Sequence, residues 1–131
     1  MPVELRIAAF GAALLVAHIV IAGVFKTGTY GLKWNVGARD EAPPPPGEAT
    51  GRLIRAQANF EETFPIAIVA LLGVVLAGRT SEATALGGWI WLGARIAYLP
   101  LYWVGIPVVR TIAWLASIAG LVMVLKPLLV G

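Results

Sequence analysis

From Leu5 to Phe25 the chain is an almost unbroken apolar run, and apolar stretches return at about 49–77, 85–104 and 108–130. Each is near the ~20 residues that a helix needs to cross the hydrocarbon of a bilayer. None shows the short alternating segments of a membrane barrel, and a helix satisfies its own backbone groups in lipid. The pattern therefore predicts an all-α integral membrane protein, a four-transmembrane-helix bundle of up-down topology, with residues 1–131 forming one domain. Residues 26–48 read as a loop, because Gly28, Gly31, Gly37 and the run Pro43 to Pro46 break helical continuity. The first run reads as a retained helix rather than a cleaved signal peptide. It is long, Glu4 stands at its front, and no small-x-small cleavage site follows. Ala9, Ala13 and Ala17, and again Ala116 and Gly120, recur at the spacing that lets helices approach closely.

Composition supports the membrane reading: 59% of the 131 residues are hydrophobic and 13% charged. Cysteine is absent, so thiolate metal ligands, a cysteine nucleophile and disulfides are excluded. The one histidine, His18, lies in an apolar run without a second candidate ligand, and reads as buried packing; no metal is expected. The basic residues are too few and too dispersed for nucleic acid. Lys26, Lys33, Arg39, Arg52 and Arg55 fall in or just after the long connection, against Arg79 alone in the next one. The positive-inside rule then places the 26–48 loop in the cytoplasm and both termini outside. The turn near Gly105 to Pro107 shares the cytoplasmic side.

One stretch breaks the apolar pattern. Residues 52–65 hold Arg52, Arg55, Gln57, Asn59, Glu61 and Glu62 at the front of the second run. Ionisable groups at membrane depth are costly and usually functional. At about 100° per residue, Asn59 lies about 40° from Arg55 and Glu62 about 20° from it, forming one stripe. Gln57 and Glu61 make a second line at i, i+4. Two readings stay open: a solvated helix start held by an Arg55–Glu62 ion pair, or a pocket for a small zwitterionic ligand. The third run carries Arg95, Tyr98 and Tyr102 on one face, in the same half of the bilayer, and Arg110 follows the next turn. An interfacial aromatic belt accounts for Trp103 but less well for the deeper Tyr98. Pro65 and Pro100 fall inside helices beside these clusters, where each removes a backbone hydrogen bond.

The segment Arg55-Ala-Gln-Ala-Asn59-Phe-Glu-Glu62-Thr-Phe-Pro65 resembles the signature of the MAPEG family, the membrane-associated proteins in eicosanoid and glutathione metabolism. The likeness extends to Pro-Pro-Gly ahead of the motif, to Arg52, and to Ala94-Arg95…Tyr98…Tyr102, within about residues 45–110. It implies a homotrimer that binds glutathione between subunits on the cytoplasmic side, in this case of a bacterial inner membrane. Carried over by residue, it implies that Arg55, Asn59 and Glu62 hold the tripeptide, with Arg52 and Gln57 in support. Arg95, Tyr98 and Tyr102 would line the site, and Arg110 would activate the thiol, with Tyr102 as an alternative donor to the thiolate. Arginines suit the two carboxylates of glutathione, and a guanidinium near sulfur favours thiolate.

Two positions depart from the family pattern. Thr63 stands where eicosanoid-synthesising members often have tyrosine, and Arg110 follows Tyr102 by eight residues, about one more than expected. Both point to a detoxification-type member. The expected activity is a glutathione-dependent transferase or peroxidase acting on a lipophilic electrophile or hydroperoxide. The alternative is a non-catalytic membrane protein that binds a lipid or small anion in an inherited pocket; turnover of a chlorodinitrobenzene separates the two. A transporter lacks support, because neither an internal repeat nor a pair of broken helices is present.

Overall fold

The computed structural model describes residues 1–131. Five helices follow one another without a strand: α1 (Val3–Tyr30), α2 (Leu32–Val36), α3 (Glu48–Leu76), α4 (Glu82–Val104) and α5 (Pro107–Leu129). The second and fourth apolar runs match α3 and α5 to within a residue. The expected loop 26–48 is partly helical. Gly28 alone does not stop α1, which continues to Tyr30, where Thr29 donates its hydroxyl to the Phe25 carbonyl at 2.9 Å. The chain breaks only at Gly31, whose φ of 94° favours a residue without a Cβ, and then adds the single turn of α2. Pro43 to Pro46 stay outside any helix. α4 begins three residues earlier than its apolar run, because Ser81 and Thr84 form a reciprocal capping box there.

Contacts between helices fix the topology. Thr29 meets Thr50 at one end of the bundle, with hydroxyls 3.0 Å apart, while Ile7 and Leu71 meet at Gly88 towards the other. α1 and α3 are thus antiparallel. Arg55–Tyr102 and Asn59–Arg95 bonds make α3 and α4 antiparallel too. Only Gly105 and Ile106 separate α4 from α5. Gly105 takes the left-handed conformation (φ 84°), and its N–H reaches back to the Leu101 and Tyr102 carbonyls at 3.1 Å each. Pro107 starts α5 at the position where its missing N–H leaves nothing unpaired. The result is an up-down-up-down bundle of four long helices. The ends of α1 and α4, the starts of α3 and α5, and the long connection all share one end.

The core joins Ile7 and Ala8 of α1, Phe60, Ala67, Ala70, Leu71 and Val74 of α3, Trp91 and Leu92 of α4, and Leu121 and Val124 of α5. α4 packs most extensively against α5, and the two backbones come closest at Gly87 and Gly120. A Cβ on Gly120 would stand 2.5 Å from the Gly87 carbonyl oxygen and 2.7 Å from the Trp91 nitrogen. The Gly120 half of the expected small-residue pair therefore packs a helix crossing. The α1 stripe does not do so within the chain: Ala9 and Ala13 are exposed, and α1 instead buries Ile7, Ala8, Gly11, His18 and Ala22.

Three helices, α1, α3 and α5, are long and apolar enough to cross a membrane. The chain is an integral membrane protein. α4 is as long as α5 but less apolar, since it carries Trp89, Trp91, Arg95, Tyr98, Tyr102 and Trp103 together with Gly87, Gly88 and Gly93.

The far end of the bundle is pinned by a buried carboxyl. Glu4, 3% exposed, accepts from the Thr84 hydroxyl at 2.5 Å, and that hydroxyl also accepts from the Ser81 N–H. Thr84→Val keeps the shape but strips Glu4 of its donor. A buried group left unpaired costs about 1–3 kcal/mol. The expected result is a lower thermal midpoint, and Glu4→Leu in the Thr84→Val background should recover part of the loss.

Candidate functional site

The polar residues of α3 and α4 converge at the end of the bundle that carries the long connection. Arg95 is the centre. It is fully buried, its Nη1 donates to Asn59 Oδ1 at 2.9 Å, and its guanidinium lies 4.4 Å over the Tyr98 ring and 5.2 Å from the Phe60 ring centre. Aromatic faces offset part of the burial penalty of a cation. They do not satisfy its donors, and Nε and Nη2 of Arg95 are buried without a partner. Native proteins pair nearly all such atoms, so these two donors are available to a ligand or to water.

One turn beyond Tyr98, Tyr102 sits between two further arginines. Arg55 Nε donates to its hydroxyl at 3.1 Å, and the Arg110 guanidinium lies 4.7 Å over its ring. Tyr98 and Tyr102 are stacked at i, i+4 with ring centres 5.5 Å apart. Asn59, Tyr98, Tyr102, Arg110, Thr111 and Trp114 line a cleft of about 270 Å³. Small-molecule pockets usually span about 300–1,000 Å³, so the cleft of a single chain would hold part of a tripeptide-sized ligand.

No carboxylate is ion-paired to Arg55, Arg95 or Arg110; the chain's one salt bridge joins Arg52 to Glu48 at 3.8 Å. The Arg55–Glu62 ion pair of the solvated-helix alternative does not form, since Arg55 turns to Tyr102 instead. The cluster thus presents a surplus of positive charge suited to an anion. No group of three or more His, Cys, Asp or Glu side chains gathers in the chain as a metal centre would need.

The sequence-derived residues divide into two sets. Arg55, Asn59, Arg95, Tyr98, Tyr102 and Arg110 come together. Glu62 shares the Arg55 face but lies on the exposed side of α3, outside the cleft lining. Gln57 donates to Glu61 at 2.9 Å along its own helix. Arg52 reaches the Trp103 carbonyl at 3.4 Å, at the α4–α5 turn rather than the cleft. Thr63, buried against the Phe60 carbonyl, does not face the site either. Three residues were missed. Thr111 and Trp114 line the cleft, and the i, i+4 spacing from Arg110 was the available signal for Trp114. Phe60, beneath Arg95, lies inside the motif but has no polar group to single it out.

The chain matches the model of one protein family, the MAPEG family, over residues 6–129. No protein of curated function matches it.

Proposed function

The chain belongs to the MAPEG family, which matches it over nearly its whole length, and on that premise we propose a membrane-bound glutathione-dependent transferase or peroxidase. The observation that supports this most is the set of unpaired guanidinium donors around Tyr98 and Tyr102. Glutathione brings two carboxylates, an ammonium and a thiol. Arg55 and Arg95 supply forks for the carboxylates, and Asn59 supplies an amide beside them. Glu62 is the acceptor for the ammonium, with Gln57 and Arg52 at the margin of the site. Arg110 stands against the Tyr102 ring with its charge free, which suits it to stabilising a thiolate. The Tyr102 hydroxyl is the second donor to that sulfur. The acceptor is a lipophilic electrophile or hydroperoxide that reaches the cleft from the bilayer.

The same reading completes the architecture. α4 is also a span, the third in chain order, with its polar face turned to α3 and to the cleft. The end with the long connection faces the cytoplasm of a bacterial inner membrane, and both termini lie outside. Arg55 and Glu62 are exposed in the single chain, as expected of residues that close a site against a neighbour in a homotrimer.

Calorimetric titration of reduced glutathione into the detergent-solubilised protein tests the proposal. Charge-assisted hydrogen bonds are worth about 1.5–3 kcal/mol, so Arg55→Ala and Glu62→Gln should each weaken binding by roughly tenfold or more. Absence of heat with the wild type, or affinity indifferent to both substitutions, would sink it.

A further inference from the structure

His18 is the residue of α1 that does not fit a packing role alone. It is 1% exposed, yet neither ring nitrogen has a hydrogen-bond partner. An apolar side chain would fill the same space without burying unpaired polar atoms. What His18 does possess is a planar contact. Its ring stacks on Phe60, with centres 5.0 Å apart and planes 21° from parallel. Phe60 in turn stacks against Phe64 and Trp91 at 5.3 and 6.1 Å, and it is the ring that lies 5.2 Å from the Arg95 guanidinium.

Arg95 is held loosely by polar bonds. Its one hydrogen bond goes to Asn59, while Nε and Nη2 are unpartnered. Its direction is therefore set largely by the two rings beside it, Phe60 and Tyr98. Phe60 is also the sequence neighbour of Asn59. A shift of the Phe60 ring would move both ends of the Arg95–Asn59 bond. Phe64 and Trp91 support that ring from α3 and α4, and His18 is its support from α1.

We propose that His18 is a positioning residue: by stacking on Phe60 it fixes the ring on which Arg95 rests, and so sets the guanidinium and Asn59 for the ligand. The proposal rests on the glutathione reading of the cleft. It gives α1 a part in a site to which it contributes no lining residue.

The experiment measures glutathione affinity, KM, kcat and thermal midpoint for His18→Leu, His18→Met, His18→Phe and Phe60→Leu. The flat, apolar ring of His18→Phe keeps the stack and should bind within about twofold of wild type. His18→Leu and His18→Met fill the space without a ring. Each should weaken affinity and raise KM about fivefold, with kcat and midpoint nearly unchanged. Adding His18→Leu to Phe60→Leu should bring no further loss, because the two act through one contact. Wild-type affinity in His18→Leu, additive losses in the double variant, or a midpoint that falls in step with affinity in both ringless variants would each overturn the proposal. A wild type that fails to bind glutathione removes the functional reading and this inference with it. A wild type that binds, with His18 variants that bind equally well, removes the inference alone.

Discussion

Arg110→Ala is expected to leave glutathione binding within about threefold of wild type and to lower turnover by about 100-fold or more. The asymmetry follows from where Arg110 stands. Arg55, Arg95 and Asn59 are joined to one another through Tyr102 and Tyr98 on the α3–α4 side of the cleft. Arg110 comes from α5, lies over the Tyr102 ring, and its guanidinium is in neither a hydrogen bond nor a salt bridge. In the proposed glutathione site its charge is the one left over once Arg55 and Arg95 take the two carboxylates. Removing a single preorganised group that stabilises developing or resident negative charge commonly costs 10²–10³ in kcat, about 2.7–4 kcal/mol. Thiolate absorbance of the bound complex near the ultraviolet edge is the direct readout. It should vanish in Arg110→Ala while the binding heat persists. Loss of binding with normal thiolate signal in whatever complex remains would assign Arg110 to ligand capture. Tyr102→Phe gives the complementary result: if Arg110 is the activating group, the thiolate signal survives loss of the hydroxyl.

The largest expected effect on stability belongs to Gly120→Ala. The added Cβ would meet the Gly87 carbonyl oxygen at 2.5 Å and the Trp91 backbone at 2.7 Å. Both are main-chain atoms, so no side-chain rotation relieves the clash, and the helices must separate. Overpacking of this kind typically costs about 1–3 kcal/mol, and here the upper end or beyond is expected. Gly87→Ala faces the same contact from the other side, with 2.7 Å to the Gly120 carbonyl oxygen. Equilibrium unfolding in mixed detergent checks both. Gly23→Ala, with open space at its Cβ position, should be neutral by the same measurement. The site should follow the crossing: separating α4 from α5 moves Arg110 away from Tyr102, so the thiolate signal should fall in any Gly120→Ala protein that still folds.

Much of this was readable in the chain, and the reasons differ by residue. Arg55, Asn59, Arg95, Tyr98 and Tyr102 stood out because polar side chains in an apolar run have few places to go, and helical spacing fixes which of them share a face. α3 and α5 were legible because Pro107 and the apolar runs mark their limits. The end of α1 was not, since Gly28 and Gly31 look alike in sequence and only the backbone shows that Gly31 alone adopts positive φ. Arg52, Gln57 and Glu62 share the motif but not the cleft of the single chain, because a stripe on one helix says nothing about which neighbour it faces. The role of Phe60 was hidden for the opposite reason: an aromatic ring in the core carries no sign of the cation above it.

The two-residue turn at Gly105–Ile106 has a consequence for how such a protein is made. α4 is the long helix least suited to entering lipid alone, and it is tied by the shortest link to α5, which is apolar enough to enter unaided. In the proposed four-span arrangement the pair enters as one hairpin. The short link keeps Arg110 of α5 beside Tyr102 of α4. Tyr98, Tyr102 and Arg110, the part of the cleft lining that includes both tyrosines and the free arginine, then lie together on one hairpin.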